Sequence, residues 1–459
     1  MQVCLCFRCS KIWLFTRLFV SLTASKVLSL GKNKRFLAFH SLIRTFAAMN
    51  YNTHTLLKGL RVIHLHDASP VVFCGYGVNV GARDEAPGEE GLAHFCEHVS
   101  FKGTKRRRPL QVLNCLERVG GDLNAFTNKE DTVYYAALLR DHLPKAVDLL
   151  TDITLHSTYP QSEIDKEVEV ICDEIESYND SPAELIYDEF ENVVFQGHPL
   201  GHNILGDAAR VRAFTTADAL RFTQRFYRPA NMVFFAYGDI SFSRLVKLLE
   251  KATSDFPAAT PELPDLEEKQ PVLPDYHPAV IEHQRATHQA HVMMGNRSYG
   301  IHSDKRIALY LLNNILGGPG MNARLNLSLR ERNGLVYTVE SSMSSYSDTG
   351  AWSVYFGCDH HHVEKCIRLV KHELKKMMDR PMTATRLATA KRQLKGQIGI
   401  ACDARESFAL SFGKSFLHYG WERDVERLYQ NIDAVTPELL QEVAQEVLNP
   451  ESLTTLKFL

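Results

Sequence analysis

Between Phe256 and Pro278 the chain places six prolines among several acids, and no other stretch narrows its possible folds so far. Proline fixes φ and removes a backbone donor, so such a run reads as an extended, semi-rigid tether. It splits 459 residues into nearly equal parts, each the size of an ordinary domain core. The ends of the two parts repeat one another. Thr215 to Pro229 holds a helical pattern over 217–226 and then a strand pattern, and Thr436 to Pro450 holds one over 438–447 and then a strand, at the same offset. Two copies of one α/β unit are expected, 49–255 and 279–459, joined by 256–278.

Composition excludes several classes. The 45% hydrophobic and 23% charged content are those of a globular protein, and a net charge of −2 gives no support for nucleic-acid binding. The basic run Lys105-Arg106-Arg107-Arg108 reads as a solvated loop. Ten cysteines are scattered without a disulfide framework, which suits a reducing compartment. Residues 1–48 hold eight Lys or Arg and no acid. Arg17 and Lys26 break their apolar runs short of the roughly 18 residues of a membrane span. An organelle presequence, a poor signal peptide or upstream codons before a start at Met49 all fit this segment.

In the first part, strand patterns cover Thr53–Leu57, Arg61–His66, Val71–Val80, Asp122–Thr127, Glu130–Ala136 and Asn231–Tyr237. Helical patterns cover Pro109–Val119, Leu143–Leu155 and Ser162–Tyr178. The second part opens on a strand pattern over His288–Met294 and a helix over Asp304–Leu316.

The chemistry concentrates in Gly91-Leu92-Ala93-His94-Phe95-Cys96-Glu97-His98, which reads H-x-x-E-H. A helix turns about 100° per residue, so His94 and His98 share a face and can grip one zinc ion at roughly 2.0–2.1 Å. Glu97 can reach a water on that ion without being a ligand. Cys96 points about 160–200° away and reads as core packing, with thiol-reagent sensitivity as a hypothesis. A third ligand must come from downstream. The helix over 162–178 is acidic, and its Glu167 and Glu174, seven apart, share a face; geometry alone does not choose between them. His360-His361-His362 reads as a solvated turn, because three consecutive residues cannot face one metal on a regular element. Gly317-Gly318-Pro319-Gly320 lacks the Lys-Ser/Thr ending of a phosphate loop and reads as a tight turn.

These residues, with Phe101-Lys102-Gly103-Thr104, Gly121, Asn124-Ala125, Thr127, Glu130, Thr132, Tyr134 and Tyr135, resemble the pitrilysin/insulysin family of zinc peptidases, the inverzincins. Leu316 to Met321, Arg324-Leu325, Arg330 and Gly334-Leu335-Val336-Tyr337 extend the match, which runs from about Tyr51 to Leu459. The resemblance implies an α+β fold of two homologous units, each a mainly antiparallel sheet packed with helices. It makes Glu174 the third zinc ligand beside His94 and His98, with one Zn²⁺ per chain, and Glu167 a supporting acid. Val168 departs from the family, which often has Arg there. Arg330 and Tyr337 would reach the scissile carbonyl from the opposite half, and Asn124-Ala125-Phe126 would be the edge strand that peptide substrates extend.

The implied activity is zinc-assisted hydrolysis of short or unfolded peptides with Glu97 as general base. Family members that close a chamber use four such units, so a homodimer or a pairing with a sister chain is expected, with the tether letting the halves move. A non-catalytic or structural subunit of the same fold and a presequence-processing peptidase subunit are the alternatives. The glycine-rich loop and the Arg330–Tyr337 spacing look like a bacterial single-gene peptidase, which implies the cytoplasm; a genuine presequence would imply the mitochondrial matrix.

Overall fold

The computed structural model describes residues 50–256, 272–285, 287–420 and 422–459. The leader over 1–48 and residues 257–271 of the expected tether lie outside them. Six strands form the first sheet: β1 (Tyr51–Thr55), β2 (Arg61–Leu65), β3 (Val71–Val78), β4 (Asp122–Thr127), β5 (Thr132–Leu139) and β6 (Met232–Tyr237). Their order is β1-β2-β6-β3-β5-β4, antiparallel except for β2 beside β6. The helices of this half are α1 (Leu92–Val99), α2 (Pro109–Glu117), α3 (Leu143–Leu155), α4 (Gln161–Asn179), α5 (Pro182–Val194), α6 (Ala208–Val211), α7 (Thr216–Phe226) and α8 (Phe242–Ala252).

The second half repeats the plan. Its strands are β7 (Val280–His283), β8 (Ala290–Ser298), β9 (Val336–Ser345), β10 (Gly350–Cys358) and β11 (Thr454–Phe458). They run β7-β11-β8-β10-β9, again with one parallel pair, β7 with β11. Its helices are α9 (Arg306–Gly317), α10 (Val363–Asp379), α11 (Ala384–Cys402), α12 (Arg405–Tyr419), α13 (Val425–Ala434) and α14 (Pro437–Val447). Position by position, β7-β11-β8-β10-β9 corresponds to β2-β6-β3-β5-β4, and α4 and α11 are both 19 residues long. The repeat visible in the sequence at 215–229 and 436–450 is the helix–strand pair α7–β6 and α14–β11.

The halves exchange helices. β6 is buried at nearly every position because both faces are covered. Phe234 joins the core with Leu149, Leu150 and Ile153 of α3. Phe235, pointing the other way, packs with Phe408 and Phe412 of α12 from the other half. A Cβ on Gly413 would lie 2.7 Å from the Phe235 ring, so glycine sets how closely α12 approaches β6. In return, Leu185, Ile186 and Phe190 of α5 cover Met293, Ala351 and Leu456 on the second sheet.

Charges seal the exchange. Arg61 donates to the Phe416 and Leu417 carbonyls at 3.0 and 3.1 Å, satisfying the C-terminal end of α12. Asp131, wholly buried, accepts from Lys414 at 2.6 Å and faces His418 at 3.2 Å. Arg83 pairs with Glu130 at 2.6 Å and with Asp348 of the other half. A proline tether alone would leave the halves to move; two swapped helices and these buried contacts resist sliding of one sheet past the other.

The basic run differs from the sequence reading. Arg106 and Arg107 are not simply solvated: both bond to Asp148 and to Asp152 on α3, and the Asp152 side chain is fully enclosed. His360–His362 forms an exposed 3-10 turn, in line with the sequence reading. Among the described residues no helix is long and apolar enough to cross a membrane.

Candidate metal centre

Helix α1 has eight residues, all buried. A buried helix start needs partners for its free N–H groups. Glu85 supplies them: its carboxylate accepts from the Gly91 and Ala93 amides at 3.0 and 2.7 Å and faces His202 Nε2 at 2.8 Å. An acid there also suits the positive end of the helix dipole. Burial pushes the Glu85 carboxyl up, while His202 and the two amides pull it back. Gly91 starts the helix at φ 97°, and a Cβ there would meet Leu205 O at 2.8 Å and Gly206 Cα at 2.9 Å. Only glycine lets these two loops touch in this conformation.

Helix α1 presents His94 and His98 on one face, ring centroids 4.6 Å apart. Helix α4 crosses it. Ile164, Val168, Ile171 and Ile175 bury one side of α4, which brings Glu167 and Glu174 to α1 and leaves the other acids of that helix mostly in solvent. Glu174 Oε2 lies 3.2 Å from His98 Nε2 and 3.8 Å from His94 Nε2. One ligand atom from each of His94, His98 and Glu174 falls within 4.8 Å of the others.

Behind them stands a supporting layer. Glu167 Oε1 is 3.1 Å from His98 Nδ1, and Glu167 Oε2 is 2.5 Å from Lys102 Nζ. A neutral His98 donating from Nδ1 to Glu167 presents its lone pair at Nε2, toward Glu174 and His94. Burial opposes charge on His98, but hydrogen bonds to Glu167 and Glu174 outweigh it and raise its pKa to about 10. Glu97 is buried beside the cluster and accepts from Thr127 Oγ1 at 2.8 Å. Burial lifts Glu97 to about 7, against His98 and the Thr127 hydroxyl.

The residues fit a zinc ion. Two imidazole nitrogens and one carboxylate oxygen are a zinc donor set, and a carboxylate behind the ring is the usual support.

The remaining candidates lie on the sheet edges. Asn124, Ala125 and Phe126 are on β4, the outer strand of the first sheet, and Thr127 at its end ties that edge to Glu97. Arg330 and Tyr337 belong to the second half, the first before and the second on its edge strand β9. The Arg330 guanidinium stands 5.7 Å from the Tyr337 ring, and Tyr337 is 76% exposed. The structure thus gathers His94, Glu97, His98, Glu167 and Glu174, and places Arg330 beside Tyr337 in the second half. Cys96 is fully enclosed and burial pushes its thiol well above the ordinary range, which argues against reagent sensitivity there. Glu85, Lys102, Thr127 and His202 were not assigned roles from sequence; Glu85 and His202 are 117 positions apart, and no local pattern links them.

Comparison with known proteins gives the family. The profile described as insulinase (peptidase family M16) matches residues 61–208, and that of the peptidase M16 inactive domain matches 213–394. An uncharacterized zinc protease of Bacillus subtilis is 30% identical over 400 residues, covering 87% of this chain and 96% of that protein. One from Streptomyces coelicolor is 33% identical over 401 residues, 86% of each. Among solved structures, a peptidase M16 inactive domain from Pseudomonas fluorescens superposes with a TM-score of 0.81 at 19% identity, covering 89% of this chain and 97% of that one. A protease from Helicobacter pylori gives 0.79 at 21% identity, covering 90% and 100%; at such identities the likeness is one of fold. With profiles on both halves and relatives along most of its length, the chain belongs to the insulinase family of peptidases, family M16.

Proposed function

We propose that this chain is a zinc metalloendopeptidase acting on short or unfolded peptides. The observation that carries the reading is the convergence of His94, His98 and Glu174 from two helices, with Glu97 buried beside them. His94, His98 and Glu174 hold the metal, one ion per chain, and Glu167 orients His98. Zinc, when bound, supplies Lewis-acid chemistry: it makes water acidic near neutral pH and polarises a carbonyl. Glu97 accepts the proton of the attacking water and passes it to the departing amine, held in place meanwhile by Thr127. The free edge of β4 at Asn124-Ala125-Phe126 takes an extended peptide by main-chain pairing, which holds substrates with little regard to side chain.

Arg330 and Tyr337 donate hydrogen bonds to the carbonyl oxygen as charge develops on it. Because the pair belongs to the second half and the metal residues to the first, this role fits a dimer in which one protomer's pair serves its partner's site. The relatives named zinc proteases come from bacteria, in keeping with a bacterial cytoplasmic setting. The inactive-domain profile falls on 213–394, which excludes the H-x-x-E-H helix, so a purely structural role is the weaker reading.

The test is Glu97→Gln assayed on a quenched-peptide library alongside metal analysis. Turnover should fall by about 10²-fold or more with zinc retained. Hydrolysis near the wild-type rate would remove Glu97 from its role, and no hydrolysis by the metal-loaded wild type would favour the structural role.

A further inference from the structure

The second half holds a cavity of about 470 Å³, lined by residues between 314 and 393 and separate from the metal centre. It lies among α9, α10 and α11, the counterparts of α1, α3 and α4. Where the first half places carboxylates and imidazoles, this one places cations. Arg324, Arg332, Lys376 and Arg386 line it, against a single acid, Glu373.

That acid is already committed. Arg324 meets Glu373 Oε2 through Nε and Nη2, both at 3.1 Å, and Lys376 meets Oε1 at 2.7 Å. Among the described residues neither Arg332 nor Arg386 pairs with a carboxylate, and both are exposed. Three positive charges are therefore in excess around one concave space. The rest of the wall includes Thr385 and Thr389, whose Oγ1 donates to the Thr385 carbonyl at 3.0 Å, and the apolar side chains of Leu327 and Met382.

A guanidinium fork matches two oxygens of a phosphate or a carboxylate, and the volume is that of small-molecule sites. An anion seated there would face three positive charges that no carboxylate of the wall offsets. We propose that this cavity binds a small molecule carrying two or more oxyanion groups, phosphate or carboxylate, gripped by Arg332 and Arg386 with Arg324 and Lys376 alongside. The proposal is independent of the peptidase reading, and either can fail while the other stands.

Calorimetric titration of the full chain with pyrophosphate and, separately, with citrate tests it. At least one should bind saturably, at millimolar affinity or tighter, and Arg332→Gln with Arg386→Gln should weaken it about tenfold or more. Lys395→Gln, which removes a cation paired with Asp433 outside the cavity, should leave binding unchanged. Pyrophosphate alone marks a phosphate site, citrate alone a carboxylate site, and both together mark the shared oxyanion chemistry. A second readout needs no substitution: the bound anion should slow modification of Arg332 and Arg386 by a dicarbonyl reagent, followed by mass spectrometry. Absence of saturable binding of either anion, binding that the double variant leaves intact, or unprotected arginines would overturn the proposal and leave a solvated basic surface.

Discussion

Which nitrogen of His98 meets which carboxylate decides how the centre works. Glu167 takes Nδ1 at 3.1 Å and Glu174 faces Nε2 at 3.2 Å, and Lys102 keeps Glu167 in place from its other oxygen. Glu167→Gln should therefore weaken zinc affinity about 10–100-fold, read by competition with a chromophoric chelator; unchanged affinity would mean the ring is oriented by something else. Lys102→Met should act in the same direction and less strongly. The five residues of H-x-x-E-H were legible because one helical turn is a short-range rule. The Glu167–Glu174 pair was legible as a face, but the ligand could not be chosen from it, since both acids point the same way and only the packing of Ile164, Ile171 and Ile175 sets which one overlies the imidazoles. Thr127 sits 30 residues from Glu97, beyond any periodicity.

Elements carry the site by being held at their ends and faces. Glu85 satisfies the start of α1, so Glu85→Ala leaves buried amides unpaired and should cost about 1–3 kcal/mol, with zinc affinity falling as α1 loosens; chemical denaturation and metal titration read the two effects. Gly413 is where α12 meets Phe235, and Gly413→Val should destabilise by about 1–3 kcal/mol through overpacking without touching the metal residues. Two elements, Asp122–Thr127 and Leu143–Leu155, have the bounds that the alternation and the helical period require, whereas β1 at Tyr51–Thr55 and β5 at Thr132–Leu139 are shifted from the expected Thr53–Leu57 and Glu130–Ala136. The motif helix ends at Val99 and continues as a 3-10 turn to Lys102, a tightening that hydrophobic period cannot reveal. The exchange of α5 and α12 was not legible either. An apolar strand such as β6 announces that both its faces are covered, and says nothing about which part of the chain covers them.

Across the whole molecule, stability depends on charges enclosed where the halves meet. Burial works against the Asp131 carboxylate, but Lys414 and His418 hold it well below the usual range. A depressed carboxyl contributes stability above its unfolded value, about 3.9, and loses it as pH falls through the lower folded value. Denaturation at neutral pH and below pH 4 should show this loss, and Asp131→Asn should flatten it at a cost of roughly 3 kcal/mol at pH 7, less than a fully enclosed pair because Lys414 is half exposed. An acid limb that Asp131→Asn leaves unaltered would assign it to other groups. The central claim, that three side chains on α1 and α4 hold one zinc ion, is tested most directly by zinc content with X-ray absorption on the purified full chain. We expect one zinc per chain with two imidazoles and a carboxylate bound, and loss of the metal in Glu174→Ala. A wild-type chain that takes up no zinc, or a Glu174→Ala chain that keeps it with an unchanged spectrum, would contradict the account.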